Sequence, residues 1–271
     1  MPIECDIEIK AVSQDEFHRI DKSVMRHAFD IHNSMGRFCD ERIYQEELAS
    51  RCAMSGMEPL REVEFRLTHG SFSKSYFADM MIGQTSIYEL KTADSFSPAH
   101  QNQLIHYLLL ADTRHGKLLN FRTTSVQSRF VSTTMTRSDR MKYRLIDADW
   151  DGGDTTACTL RNLLVSIIED WGTCLDLSAY RDALLHFSNA SDDGMQQVSI
   201  TSHGRIVGTQ KMCLFAPDTA CHLSAVKSNL ASHKTHIRRL LSHTNLRQLL
   251  WINFNHHEIQ LSTIKNDSVI K

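Results

Sequence analysis

The chain has 271 residues, 41% hydrophobic and 23% charged, which is an ordinary globular composition with room for one or two domains that each bury a core. Its formal net charge of −2 excludes a global attraction to nucleic acid or membrane, so any phosphate must be held by a local basic patch or a bound metal. The seven cysteines include no C-x-x-C pair and are odd in number, which argues against a zinc cluster and against a disulfide framework.

The opening residues, MPIECDIEIK, are too acidic for a signal peptide. A helix is predicted over residues 14–35, where Phe17, Ile20, Val24, Ala28 and Ile31 recur at three- and four-residue steps, with Gly36 as its C-cap. A second helix runs from about Asp40 to Cys52 and sets Glu41, Tyr44 and Leu48 on one face. Ser55 to Leu60 reads as a loop, Glu62 to Leu67 as a strand and HGSFS as a turn.

Residues 75–91, SYFADMMIGQTSIYELK, predict two strands around a Gly83-Gln84 turn. In the second strand Ile87, Glu89 and Lys91 share a face, and Asp79 on the first strand can reach the same spot. Two carboxylates suit a hard divalent cation, and a lysine beside them suits charge developing on phosphate. Taken alone, such a triplet is more often a solvated strand face with weak ion pairs.

Ser97-Pro98 starts the next helix, with Ser97 as N-cap, and places His100, Gln103 and Tyr107 along one side. Its LIHYLLLA run is the most apolar of the chain, too short to span a membrane and interrupted by a histidine. The expectation is a soluble, reduced, cytoplasmic protein. KLLNF reads as a buried strand and residues 124–135 as a polar one. Helix, helix, three strands, helix, strand is an α/β unit with a mixed sheet.

The stretch GRFCDERIY, with Gly36, Glu41 and Tyr44, is followed in order by FADMMI, YELK, SPAHQNQLIHYL and KLLNFR. Over residues 15–135 this resembles the GxxExxY proteins, a branch of the PD-(D/E)XK nuclease superfamily. The resemblance implies an αβββαβ fold and a metal-dependent phosphodiester hydrolase. It puts the acidic and lysine positions on Asp79, Glu89 and Lys91, the helical glutamate on Glu41 and a Q-x-x-x-Y element on Gln103 and Tyr107. Asp79, Glu89 and Glu41 would then ligate Mg2+, or Mn2+ in its place. The rival reading of Gln103 and Tyr107 is a helix–sheet contact, over which the complete acidic set beside them favours function, and His100 reads as a structural hydrogen bond. Family members often carry arginine two residues before the strand aspartate, where this chain has Phe77.

A second copy of the pattern follows residues 146–156, IDADWDGGDTT, an acidic stretch read as a linker. HNSMGRFCDERIYQEEL lies over IEDWGTCLDLSAYRDAL, matching Gly36 with Gly172 and Tyr44 with Tyr180. PAHQNQLIHYLLLADTRHGKLLNF lies without gaps over ASHKTHIRRLLSHTNLRQLLWINF, matching His100 with His233 and Asn120-Phe121 with Asn253-Phe254. Matches that stay in order argue for a tandem duplication.

In the copy, Glu41 becomes Leu177, Asp79 Met212, Glu89 His222, Lys91 Ser224, Gln103 His236 and Tyr107 Leu240. The basic run KTHIRR, with His243 and Arg247 near, reads as a phosphate contact or as a solvated face.

The expectation is therefore an active nuclease domain over residues 1–145, a linker over 146–156 and a degenerate copy over 157–271. The whole would be a monomeric pseudo-dimer acting on DNA. The rival expectation is a non-catalytic nucleic-acid-binding or protein-interaction module on the same fold.

Overall fold

The computed structural model describes residues 2–188 and 195–269. The chain divides into two compact units, Met1–Asp139 and Arg140–Lys271.

The first unit runs β1 (Ile3–Glu4), α1 (Gln14–Met35), α2 (Glu41–Met54), β2 (Pro59–His69), β3 (Phe72–Ile82), β4 (Ser86–Lys91), α3 (Pro98–Leu110), β5 (His115–Asn120) and β6 (Gln127–Ser132). The six strands lie in that order in one sheet. All neighbours are antiparallel except β4 and β5, which are parallel and joined across α3. The helices α1 and α2 cover one face. Phe17, Val24, Ala28, Ile31, Tyr44, Leu48 and Cys52 pack there on Met80, Ile82, Tyr88, Leu90, Leu119 and Phe121. The helix α3 covers the opposite face, where Leu104 and Leu108 approach Gly116 so closely that a Cβ there would stand 3.0 Å from Leu104. Ser97 Oγ accepts from His100 N–H and His100 Nδ1 accepts from Ser97 N–H, so His100 closes a capping box at the start of α3.

The second unit runs α4 (Arg137–Arg140, spanning the boundary), β7 (Arg144–Asp149), α5 (Thr155–Trp171), α6 (Leu177–His186), β8 (Met195–Ser202), β9 (Arg205–Ala216), β10 (Thr219–Ser224), α7 (Leu230–Leu241), β11 (Gln248–Asn255) and β12 (Glu258–Lys265). From α5 onward this is the element order of the first unit from α1 onward. The pairing also corresponds: β8 to β12 are neighbours in chain order, with β10 and β11 the parallel pair joined across α7. The sixth strand differs, since β1 lies beside β2 whereas β7 lies beside β12.

The stretch read as a linker is corrected here. Residues 144–149 form a strand parallel to β12, and Asp154 caps α5 by accepting from Ala157 N–H. Its acidic residues are paired with cations from elsewhere in the unit: Arg161 for Asp147, Lys234 for Asp149 and Arg247 for Asp154.

The helix–helix corners of the two units share one construction. Gly36 and Gly172 have φ of 74° and 75° with nearly extended ψ, a region open essentially only to glycine. A Cβ at position 172 would moreover stand 2.8 Å from that of Arg140. Tyr44 and Tyr180 each donate to the glycine carbonyl at 2.7 Å and accept from a backbone N–H, of Cys39 and Leu175 respectively. Their rings pack on Phe121 and Phe254 at 4.5 and 4.8 Å between centroids. Asn120 brackets Ala93 and Asn253 brackets Val226 through paired amide–backbone bonds. Removing the Tyr180 hydroxyl leaves a buried carbonyl and N–H unmet, and removing that of Tyr44 leaves the corresponding, more exposed pair unmet. Tyr44→Phe and Tyr180→Phe are each expected to cost about 1–2 kcal/mol in urea unfolding; midpoints within error of the wild type would show that the corners do not depend on these bonds.

Among the described residues no helix is long and apolar enough to cross a membrane, and the seven cysteines form no disulfide.

Candidate active site

The strands β3 and β4 pair from Ile82↔Ser86 to Met80↔Tyr88 and then part. At the parting point the Asp79 carboxylate takes the role of a ladder carbonyl and accepts from Leu90 N–H at 2.7 Å. The ladder between β2 and β3 is also interrupted at Asp79. It runs through Arg61↔Met80 and resumes at Val63↔Ala78, while Glu62 between them has φ +49°. The Asp79 carbonyl instead accepts from Gln45 Nε2 at 2.5 Å, and the same amide donates to Glu62 Oε1 at 2.8 Å. A side chain of α2 thus holds open the strand position that presents Asp79.

Glu41 is the first residue of α2, and its Oε2 accepts from Thr92 N–H at 3.0 Å, just past the end of β4. Lys91 stands among the carboxylates. Its Nζ donates to Glu89 Oε1 at 2.8 Å and lies 3.7 Å from both Asp79 Oδ2 and Glu41 Oε1. The structure therefore gathers Glu41, Asp79 and Glu89 around the Lys91 ammonium. Gln103 is exposed on α3 and donates to the Tyr107 hydroxyl at 3.4 Å. Tyr107 is buried beside Phe65, its ring centroid 6.2 Å away, so this pair is also a helix–sheet contact.

Glu89 is 0% exposed. Burial, with the charge of Asp79 beside it and Lys91 only partly opposing, pushes its carboxyl up to about 8. Burial also raises Asp79, against the pull of Lys91 and of Leu90 N–H. Burial alone would lower the Lys91 ammonium, but Glu89 and Asp79 raise it. The Tyr107 hydroxyl is pushed up to about 12, chiefly by burial, and is a donor at neutral pH.

A hard divalent cation fits this donor set on one specific observation: Glu89 Oε2 is buried and has no hydrogen-bond partner. The carboxylates converge on Lys91 rather than directly on one another. Among the described residues no three His, Cys, Asp or Glu side chains form a ready cage.

Gln45 and Glu62 escaped sequence reading. Gln45 is a polar residue on the buried side of α2, four positions after Glu41. That spacing was the available signal, but its partners lie on another element. Gln45→Ala would orphan the Asp79 carbonyl and is expected to destabilise the protein by about 1–3 kcal/mol. Thermal unfolding checks this; an unchanged midpoint would mean that Glu62 N–H or water replaces the amide.

Residues 18–131 match the model of the PD-(D/E)XK nuclease superfamily. No curated protein and no solved structure matches the chain.

Proposed function

We propose that the Met1–Asp139 unit is a Mg2+-dependent phosphodiester hydrolase acting on DNA, of the GxxExxY branch. The observation that carries this reading is the fully buried Glu89, with one oxygen unpartnered, beside Asp79 and a shared lysine. A purely structural ion-pair cluster gains little from burying an unmet carboxylate oxygen, which costs free energy unless something binds it.

Asp79, Glu89 and Glu41 would hold the ion, and Mn2+ would serve in its place. When bound, the ion supplies a polarised phosphate and a water of lowered pKa. Lys91, freed from part of its contact with the carboxylates, orients the attacking water and offsets charge gathering on the phosphate oxygens. The Tyr107 hydroxyl keeps its proton at neutral pH and with Gln103 offers donors to the phosphate. Glu41, at the start of α2, brings the third carboxylate from outside the sheet. The rival reading, a binding module without catalysis, is disfavoured by an acidic pocket that repels phosphate.

We read the Arg140–Lys271 unit as a degenerate copy of the first, from one ancestor. The shared element order, the two glycine–tyrosine corners and the two asparagine brackets support this. Leu177, Met212, His222, Ser224, His236 and Leu240 stand where the first unit has its chemistry, so the chain is a monomeric pseudo-dimer with a single active site.

The test is cleavage of single- and double-stranded DNA and RNA by the full chain, with Mg2+, with Mn2+ and with chelator. The reading expects metal-dependent cleavage of DNA. RNA cut faster than DNA would correct the substrate, and no cleavage in any arm would favour the binding module.

A further inference from the structure

The second unit contains a cavity of about 490 Å³, in the range of small-molecule sites. Its walls are methionine, leucine and isoleucine side chains with Cys213 and Cys221, and Gln210, Arg181, Lys211 and three histidines, His222, His233 and His236, add polar groups. No aspartate or glutamate is among the described residues that line it. The corresponding place in the first unit is built from carboxylates, so the electrostatics are reversed.

Arg181 and Lys211 are donors only, whereas Gln210 and each neutral imidazole both donate and accept. His222 and His233 bring their Nε2 atoms to 3.2 Å with nearly parallel rings, and His233 packs on Trp251 at 5.0 Å between centroids. One N–H is shared between the two Nε2 atoms here, so a ligand oxygen accepts from either ring at this point only by replacing that bond. Arg181 is steadied by its neighbour Asp182, which accepts from its Nε and one Nη, leaving the other Nη for a ligand. Burial and the neighbouring His233 lower the His222 pKa, so the lasting positive charge is that of Arg181 and Lys211. Two nitrogens suggest a transition metal as well, but His236 adds no third ligand: no group of three metal-binding side chains exists among the described residues.

We propose that this cavity binds a nucleotide, its phosphate on the Arg181, Lys211 and histidine donors and its base against the apolar wall. The choice of a nucleotide as the anion rests on the phosphodiester reading of the first unit; the preference for a phosphate does not. The phosphate has two sources, a free mononucleotide or a phosphodiester of a nucleic-acid strand. In either case the second unit recognises the phosphate directly, with no metal between.

Calorimetric titration of the full chain in chelator tests this. The probes are inorganic phosphate, a 5′-mononucleotide, its nucleoside, and a dinucleotide whose one phosphate is internal. The proposal expects one mononucleotide or dinucleotide per chain, bound about tenfold or more tighter than the nucleoside, as for a charge-assisted contact. The tighter of the two identifies the source. Lys211→Ala, on an exposed position, and His233→Gln should each weaken binding about tenfold with the circular dichroism unchanged. The Asp79→Ala/Glu89→Ala double variant should bind as wild type. Phosphate binding without a preference for the nucleotide would retain the site and overturn the nucleotide. Equal affinity for nucleoside and nucleotide, or no binding by any probe, would overturn the proposal. So would loss of binding in the double variant with Lys211→Ala unaffected, or a chelator-free chain that takes up Zn2+ through His233 and ignores phosphate.

Discussion

Lys91→Ala is expected to lower metal-dependent cleavage by at least about 10²–10³-fold, the cost of removing one positioned donor from a site where charge develops. The Lys91 ammonium lies within 3.7 Å of all three carboxylates, so it is placed to follow charge that moves from them toward a phosphate. Alanine also leaves Asp79, Glu89 and Glu41 facing one another without a cation, and the variant must be shown to be folded by circular dichroism. Asp79→Asn serves as the companion, because it keeps shape and removes charge; its loss should be of similar size. Effects of groups that act as a unit do not add, so the double variant should be little worse than either single one. If folded Lys91→Ala cleaves at the wild-type rate, the assignment of this lysine is wrong.

The second large effect is on stability, and its sign follows from Glu89. Its carboxyl titrates near 4.5 when solvated and near 8 in the fold. Between those values the folded chain holds a proton that the unfolded chain has released, so stability falls as pH rises across this window and is level above it. Glu89→Gln never ionises. In chelator it is expected to match the wild type below about pH 4.5, to gain on it steadily above, and to melt several degrees higher by pH 8. Divalent metal should narrow or reverse the difference, because it stabilises only the chain that can bind it. Differential scanning fluorimetry across that pH range decides the matter. A Glu89→Gln chain that melts lower than the wild type at pH 8 in chelator would show that Glu89 is held as a structural carboxylate.

Much of this was legible because it is local. Gly83-Gln84 announces a turn and Ser97-Pro98 a helix start, and both effects act within a few residues. The alternation of Ile87, Glu89 and Lys91 places a carboxylate and a lysine side by side by strand period alone. The interruption at Glu62 and the Gln45 amide that fills it were not legible, since they depend on α2 crossing β2 and β3. Nor was the strand at residues 144–149. Its acidic composition reads as linker until the arginines and lysines that neutralise it are brought in from Arg161, Lys234 and Arg247. The same pairings account in part for the basic run of α7 and the nearby Arg247: Lys234 and Arg247 are engaged by carboxylates, while Arg238 and Arg239 remain exposed. The histidines of the second unit were visible as residues, but the cavity they line was not, because its walls come from several elements.

The most direct test of the central claim is the binding of Mn2+ to the full chain, followed by electron paramagnetic resonance. Three carboxylates around one lysine, one of them with an unmet buried oxygen, are predicted to take one ion per chain. That ion should be lost from Asp79→Asn and Glu89→Gln, retained in Lys211→Ala, and displaced by Mg2+. Mn2+ bound equally by the wild type and by both carboxylate variants, or by none of them at millimolar concentration, would contradict the account.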